Sequence, residues 1–283
     1  MSEPAMSGTP MNREERRRIA RKDVERYRTQ GLPPRLSLGA MFAHTAALRG
    51  ILERKDDPER GTRLALAFHA GFERSMANLD AEPRVACSAG CSMCCHNWIS
   101  VTAPEVFVIA AEIGRRATAT DDAARIARAA LAGKGLDRDA RLDRRLACPM
   151  LASDLCSIYA VRPLACRGFF SLSLEACQAV FKGEGEDIPA WRSAMLLRGI
   201  HDRCMAAAIQ AAGLAHGAFE MTEGLTMAFA DPGAQARWLA GEDVFAAATH
   251  DGQDDAEENL FREVLIAGAA GKRLPENPWT PTA

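Results

Sequence analysis

The stretch Cys87-Ser-Ala-Gly-Cys91-Ser-Met-Cys94-Cys95 places four cysteines within nine residues, and only five more occur in the rest of the 283-residue chain. Nothing else in the sequence limits the fold so strongly. A second concentration follows at Cys148, Cys156 and Cys166, with Cys177 eleven residues beyond it, so Cys204 alone stands apart. Thiols gathered this tightly are either cross-linked or bound to a metal, and the compartment decides between the two.

Met1 to Pro10 lacks the apolar run of a signal peptide, and from Met11 the chain is densely charged. No segment supplies the roughly 18 consecutive apolar residues of a membrane-spanning helix. The expectation is a cytoplasmic protein with no membrane partner, in which thiols stay reduced and an odd count of nine cannot all pair within the chain. Adjacent Cys94 and Cys95 could bridge each other only through a strained ring. A chain of this length with 48% hydrophobic residues also has core enough to do without disulfide staples.

Two groups of thiols in a reducing compartment read most simply as metal ligands. Soft thiolates hold zinc or iron–sulfur clusters, and short loops with Gly90 and small serines let the backbone turn back so that several sulfurs converge. A four-thiolate site around a divalent ion stays net negative, which makes Arg162 and Arg167 the expected neighbouring cations. Two features favour an iron–sulfur cluster, of the 4Fe-4S kind, over zinc. Cys148-Pro149 has the form of the Cys-Pro that closes a ferredoxin run. Neighbouring Cys94 and Cys95 point different ways, which suits a larger cluster or two sites better than one tetrahedral zinc.

The loop Cys87-x-x-x-Cys91-x-x-Cys94-Cys95, followed by Cys148-Pro149 and by Cys156-Ser-Ile-Tyr159-Ala-Val-Arg162-Pro163-Leu-Ala-Cys166-Arg167, resembles the YkgJ-type cysteine-cluster family, whose domain is described as zinc- or iron-chelating. The resemblance covers Cys87 to Gly168 and implies metal binding by Cys87, Cys91, Cys94, Cys95, Cys148, Cys156 and Cys166. Cys177 lies beyond the matched part and is added as a further candidate ligand. Ser92 stands where the family often has glycine. The family is similar in turn to flagellin lysine N-methylases, which implies an alternative, a cluster-dependent protein lysine N-methyltransferase-like enzyme. The chain has no glycine-rich strand-loop-helix that would cradle S-adenosylmethionine. The spacing Cys87-x-x-x-Cys91-x-x-Cys94 is also that of radical S-adenosylmethionine enzymes, but those are partial barrels of alternating strands and helices, whereas this chain offers Ala-rich helices and a fourth adjacent cysteine.

Apolar periodicity predicts helices almost throughout. Two are expected between Leu36 and Leu79, broken at Lys55-Asp-Asp-Pro58-Glu-Arg-Gly61, with Leu64, Phe68, Phe72, Met76 and Leu79 on one face of the second. Thr102-Ala-Pro-Glu105 has the form of a capping box and opens an amphipathic helix carrying Val106, Ile109, Ala110 and Ile113. A Thr-capped helix from Thr120 to Leu131 stops at Gly133-Lys-Gly135. Further helices are expected at Ile188–Ala212, Met221–Ala230, Gln235–Ala248 and Asp255–Ile266, with Trp98-Ile-Ser-Val101 the one extended piece.

The predicted architecture is therefore all-α: a charged N-terminal helix or arm at 1–34 containing Met11–Arg28 with Asn12 as its cap, one irregular helical domain at 35–270 organised around a cysteine-rich metal-binding knot at 87–177, and a tail at 271–283. With 35 basic against 37 acidic residues, and four Trp and two Tyr without basic interleaving, nothing points to nucleic acid. A protein partner is left open. His96 reads as a solvated loop residue, and His201 with Cys204 as a partly exposed histidine beside a buried thiol rather than as ligands. The function expected is metal binding with a structural, sensing or assembly role.

Overall fold

The computed structural model describes residues 38–79, 84–185, 187–251 and 256–274. The expected arm with its cap Asn12 lies outside the described residues, as do Asp255 and the chain from 275 onward. Helix α1 (Leu38–Leu52) buries Met41, Thr45, Leu48 and Leu52, spaced to fall on one stripe. A turn through Pro58 leads into α2 (Arg60–Met76), whose Leu64, Phe68 and Phe72 are essentially inaccessible, while Met76 and Leu79 pack at the core's edge. Burying each of those large side chains contributes about 1.5–3 kcal/mol.

Helix α3 (Ala103–Gly114) begins with the capping box: Glu105 Oε2 accepts from both the Thr102 N–H and its hydroxyl, at 2.9 and 3.0 Å. It is buried on nearly every side from Ala103 to Ile109, which makes it the central helix, with α2 against it. Helix α4 (Ala119–Gly133) takes Thr118 rather than Thr120 as the residue before its first turn, and the Thr118 hydroxyl donates to Asp122 at 3.0 Å. The chain turns at Gly135 into α5 (Arg138–Asp143), capped by the Asp137 carboxylate.

After the cysteine region come α8 (Arg192–Ala211), α9 (Met221–Ala230), α10 (Ala234–Leu239) and α11 (Ala256–Ala269); between α5 and α8 lie the short α6 (Leu164–Arg167) and α7 (Leu174–Lys182). Helices α1, α2, α8 and α11 pack together on one side, and α9 covers α3 and α4 on the other. The helix expected at Gln235–Ala248 stops at Leu239. Gly241 adopts a left-handed conformation (φ +99°), and the following residues turn so that Phe245 enters the core.

Only four short strands occur among the described residues. β1 (Ser100–Val101) pairs antiparallel with β4 (Phe219–Glu220), Ser100 opposite Glu220. β2 (Leu151–Ala152) pairs with β3 (Leu155–Cys156) as a two-residue hairpin whose tip, Ser153 and Asp154, has φ of 49° and 60°. The molecule is mostly helical, as expected, and none of the described helices is long and apolar enough to cross a membrane.

Candidate metal centre

The first cysteine loop is fixed at both ends by backbone bonds. Ala86 N–H donates to Ser171 O at 2.7 Å, and Ser171 N–H donates back to Cys87 Sγ at 3.3 Å. Gly90 (φ +84°) reverses the chain, which then winds into a 3-10 turn at Met93–His96. Within that turn Cys95 O accepts the Cys148 N–H at 2.7 Å, so the two cysteine motifs are joined main chain to main chain. The Ser92 hydroxyl donates to Asp154 at 2.7 Å and ties the same loop to the hairpin tip. His96 is half-buried: its ring packs edge-on against Phe181 of α7 at 4.9 Å, with Nδ1 at 3.2 Å from Ser92 O.

That contact brings in Cys177. Helix α7 was not expected from the sequence, although Ser173 caps it by accepting the Ala176 N–H and Gly183 (φ +80°) ends it, two signals that could have revealed it. Packing α7 on the 3-10 turn sets Cys177 beside the first loop.

The second motif is built from pieces too short to stand alone. Cys148 opens a turn closed by Leu151 N–H to Cys148 O at 3.0 Å, Cys156 lies opposite Leu151 in the hairpin, and Cys166 sits in the four-residue α6. What holds α6 is Glu105. Its Oε1 accepts the Leu164 N–H at 2.7 Å and lies 3.1 Å from His69 Nε2, while Oε2 serves the capping box. Burial works to raise this carboxyl, but His69 and the two amides hold it below the usual range, so the carboxylate stays charged at 3% exposure. Arg167 braces the same loop, donating to Arg162 O at 2.7 Å, to Ala160 O and to Glu73. Arg162 lies 3.7 Å over the Tyr159 ring. Both guanidinium groups are thus engaged in shaping the Tyr159–Arg167 segment.

The thiols influence one another in two overlapping groups. Burial raises Cys91, and the thiols of Cys94, Cys87 and Cys177 raise it further. Cys166 is reached by solvent yet ringed by protein; this surrounding bulk pushes it far up, and Cys148, Cys94 and Cys156 add to the shift. Cys94 belongs to both groups and is itself driven up first by its hydrogen-bonded neighbour Cys95. Cys148 is pushed up to about 11 by burial, with Cys156 adding and Arg141 opposing. Cys204 is separate: it lies in the core on α8, its sulfur 3.8 Å from Met41 O, one turn from His201, which bonds Ser75.

All nine cysteines are free thiols. Among the described residues no three His, Cys, Asp or Glu side chains yet stand in coordinating geometry, so the eight thiols are gathered without being converged. As a donor set they nonetheless fit zinc or iron, being uniformly soft sulfur. The mutual elevation of neighbouring thiols is what a bound cation would relieve. Two surface cavities lie elsewhere and neither is lined by a cysteine; the larger, about 320 Å³, is framed by Trp98, Leu136, Arg138, His250 and Asp251.

No curated protein and no solved structure matches the chain. Residues 86–182 match the CxxCxxCC family model, described as "Putative zinc- or iron-chelating domain", a span that begins one residue before Cys87 and closes with the last residue of α7 after Cys177.

Proposed function

We propose that the chain is a metal-binding module whose ligands are Cys87, Cys91, Cys94, Cys95, Cys148, Cys156, Cys166 and Cys177. The observation that carries this reading is the 2.7 Å bond from Cys148 N–H to Cys95 O, which brings two distant cysteine motifs to one place without a disulfide. The two thiol groups meeting at Cys94, beside Cys95, favour a cluster of several metal atoms, or two sites side by side, over a single tetrahedral zinc. An iron–sulfur cluster of the 4Fe-4S kind is accordingly the favoured cofactor, and zinc the other candidate. The role is structural, sensing or assembly. The alternative, a methyltransferase-like enzyme, would need a substrate cavity beside the thiols.

The test is purification without air, with visible absorption and elemental analysis of iron, zinc and acid-labile sulfide in one sample. Iron with sulfide and a brown chromophore is the expected outcome; stoichiometric zinc without colour would replace the cluster by a structural site. Cys94→Ser and Cys166→Ser should each cut the metal content and lower the melting temperature. Full metal content with unchanged melting in both variants would remove the ligand assignment.

A further inference from the structure

The hairpin that carries Cys156 is a poor structure by itself. Its strands are two residues each, Ala152 and Leu155 face solvent, and its tip turns through left-handed Ser153 and Asp154 although neither is glycine. A two-stranded ribbon of this size does not hold its shape alone in water, so what fixes it comes from outside.

Two arginines grip it, one at each end. Arg125, on α4, donates from Nε to Pro149 O at 2.7 Å, and Arg116, in the turn before α4, donates from Nη2 to Ser157 O at 2.8 Å. Pro149 and Ser157 are the residues that directly follow Cys148 and Cys156, and they bracket the hairpin. Both guanidinium groups turn back to one carboxylate. Asp122, in the first turn of α4 and 4% exposed, accepts from Arg125 Nη2 at 2.6 Å and lies 3.8 Å from Arg116 Nη1, while the Thr118 hydroxyl donates to it at 3.0 Å. A guanidinium is a rigid fork, so one that holds a carboxylate on one side and a carbonyl on the other fixes the distance between them. Arg116 has a second anchor in Glu112 at 3.4 Å, which leaves the Arg125 arm the more dependent on Asp122. Serving the helix dipole does not require burial: Asp121, in the same turn, stays exposed.

We infer that Asp122 is a positioning residue for the metal site, setting the spacing of Cys148 and Cys156 through Arg125 and Arg116. The inference rests on the metal-binding reading above. None of these bonds involves a sulfur, so the backbone beside the two cysteines is placed by the clamp and not by the ligand bonds themselves. A metal that meets ligands already spaced loses less of its binding energy to ordering them.

The experiment has two readouts on wild type, Asp122→Ala, Asp122→Asn and Arg125→Met. Amide hydrogen exchange of the metal-free protein is followed by NMR at Leu151 and Ser157, whose N–H groups bond Cys148 O and Met150 O. Cobalt(II) alone is then titrated against a chelator of known affinity, reading the thiolate-to-cobalt absorption. Asp122→Ala should speed exchange at both amides about tenfold while amides of α8 keep their wild-type rates, and should weaken cobalt binding about tenfold. Arg125→Met should reproduce most of both effects; its side chain is 42% exposed, so the variant keeps the test usable if Asp122→Ala fails to fold. Asp122→Asn retains one carbonyl acceptor for Arg125 and should recover part of the loss. Wild-type cobalt affinity in both Asp122→Ala and Arg125→Met would overturn the inference and leave the metal site standing, even with faster exchange, because the clamp would then hold the hairpin without serving the ligands. Exchange accelerated equally in α8 would overturn it too, since that is a general loss of stability. Wild type without a thiolate-to-cobalt band would remove the metal reading itself, and this inference with it.

Discussion

Around Cys204 the chain is held by long helices: α1, α2 and α8 bury Leu48, Leu64, Phe68, Phe72 and Met205 almost completely. Around Cys166 it is held by a four-residue helix, a hairpin of two-residue strands and a 3-10 turn, with Cys87, Cys94 and Cys166 open to solvent. The core has area to bury, and area is non-directional and tolerant. The cysteine face depends on single directed bonds: Cys148 to Cys95 and Ala86 to Ser171, each contributing only about 0.5–1.5 kcal/mol net, and Ser92 to Asp154 and Leu164 to Glu105, whose carboxylate acceptors raise this to about 1.5–3 kcal/mol at most. A face organised this way is specified in shape but weak in cohesion, and a metal bound by several of its sulfurs, as proposed, would add what apolar burial does not supply there.

Glu105 sits on the seam between the two regions and offers the most damaging way to break the comparison. Glu105→Ala strands the Leu164 and Thr102 N–H groups and His69 together, and should cost about 3 kcal/mol or more in denaturant unfolding, with metal retention falling as α6 loosens. A loss of less than about 1 kcal/mol would mean that the cysteine face is attached in some other way.

A smaller effect probes the core alone. Burial, followed by His44 and Arg74, pushes His201 down to about 3 from an ordinary 6.5. The unfolded chain therefore takes up this proton first, and His201 makes the fold progressively less stable as pH falls from about 6.5 towards 3. Asp202, crowded by protein although its side chain is 46% exposed, is raised rather than lowered and acts weakly in the opposite sense over part of that range, because its advantage is lost as pH rises. The difference between wild type and His201→Phe, measured metal-free across this window, isolates the histidine: the gap between them should widen as the medium becomes more acidic. A gap independent of pH would remove His201 from the account.

The smallest expected effect sharpens the contrast most directly. Cys204→Ala should cost about 1 kcal/mol through a small cavity and leave the metal content unchanged, the reverse of what replacing Cys166 does. Metal loss on replacing Cys204 would erase the distinction between the ninth cysteine and the other eight.

Much of the core was legible because its signals are local. Leu64, Phe68 and Phe72 repeat at helical spacing, and Thr102 with Glu105 announces a helix start that the structure forms with both hydrogen bonds. The second duty of Glu105 was not legible, since its partner Leu164 lies 59 residues further along the chain and its own sequence neighbours account for it fully. The same limit explains the arginines. Arg162 and Arg167 stand beside Cys166 in sequence, but what they grip, the Tyr159 ring, Glu73 and the carbonyls of Ala160 and Arg162, is set by the fold. The helix expected through Ala248 was over-extended because alanine content favours a helix wherever tertiary contacts do not intervene, and here Phe245 is drawn inward instead.

The hydrogen bond from Cys148 to Cys95 also fixes the order in which the molecule can be made. As the chain leaves the ribosome, Cys87, Cys91, Cys94 and Cys95 appear first and must wait while the whole of α3, α4 and α5 is synthesised before their partners emerge. During that interval they are an exposed thiol quartet with no companion motif, open to oxidants and to stray metal ions. The complete eight-thiol arrangement therefore belongs to a late stage of synthesis, after the central helix has formed and α7 has delivered Cys177.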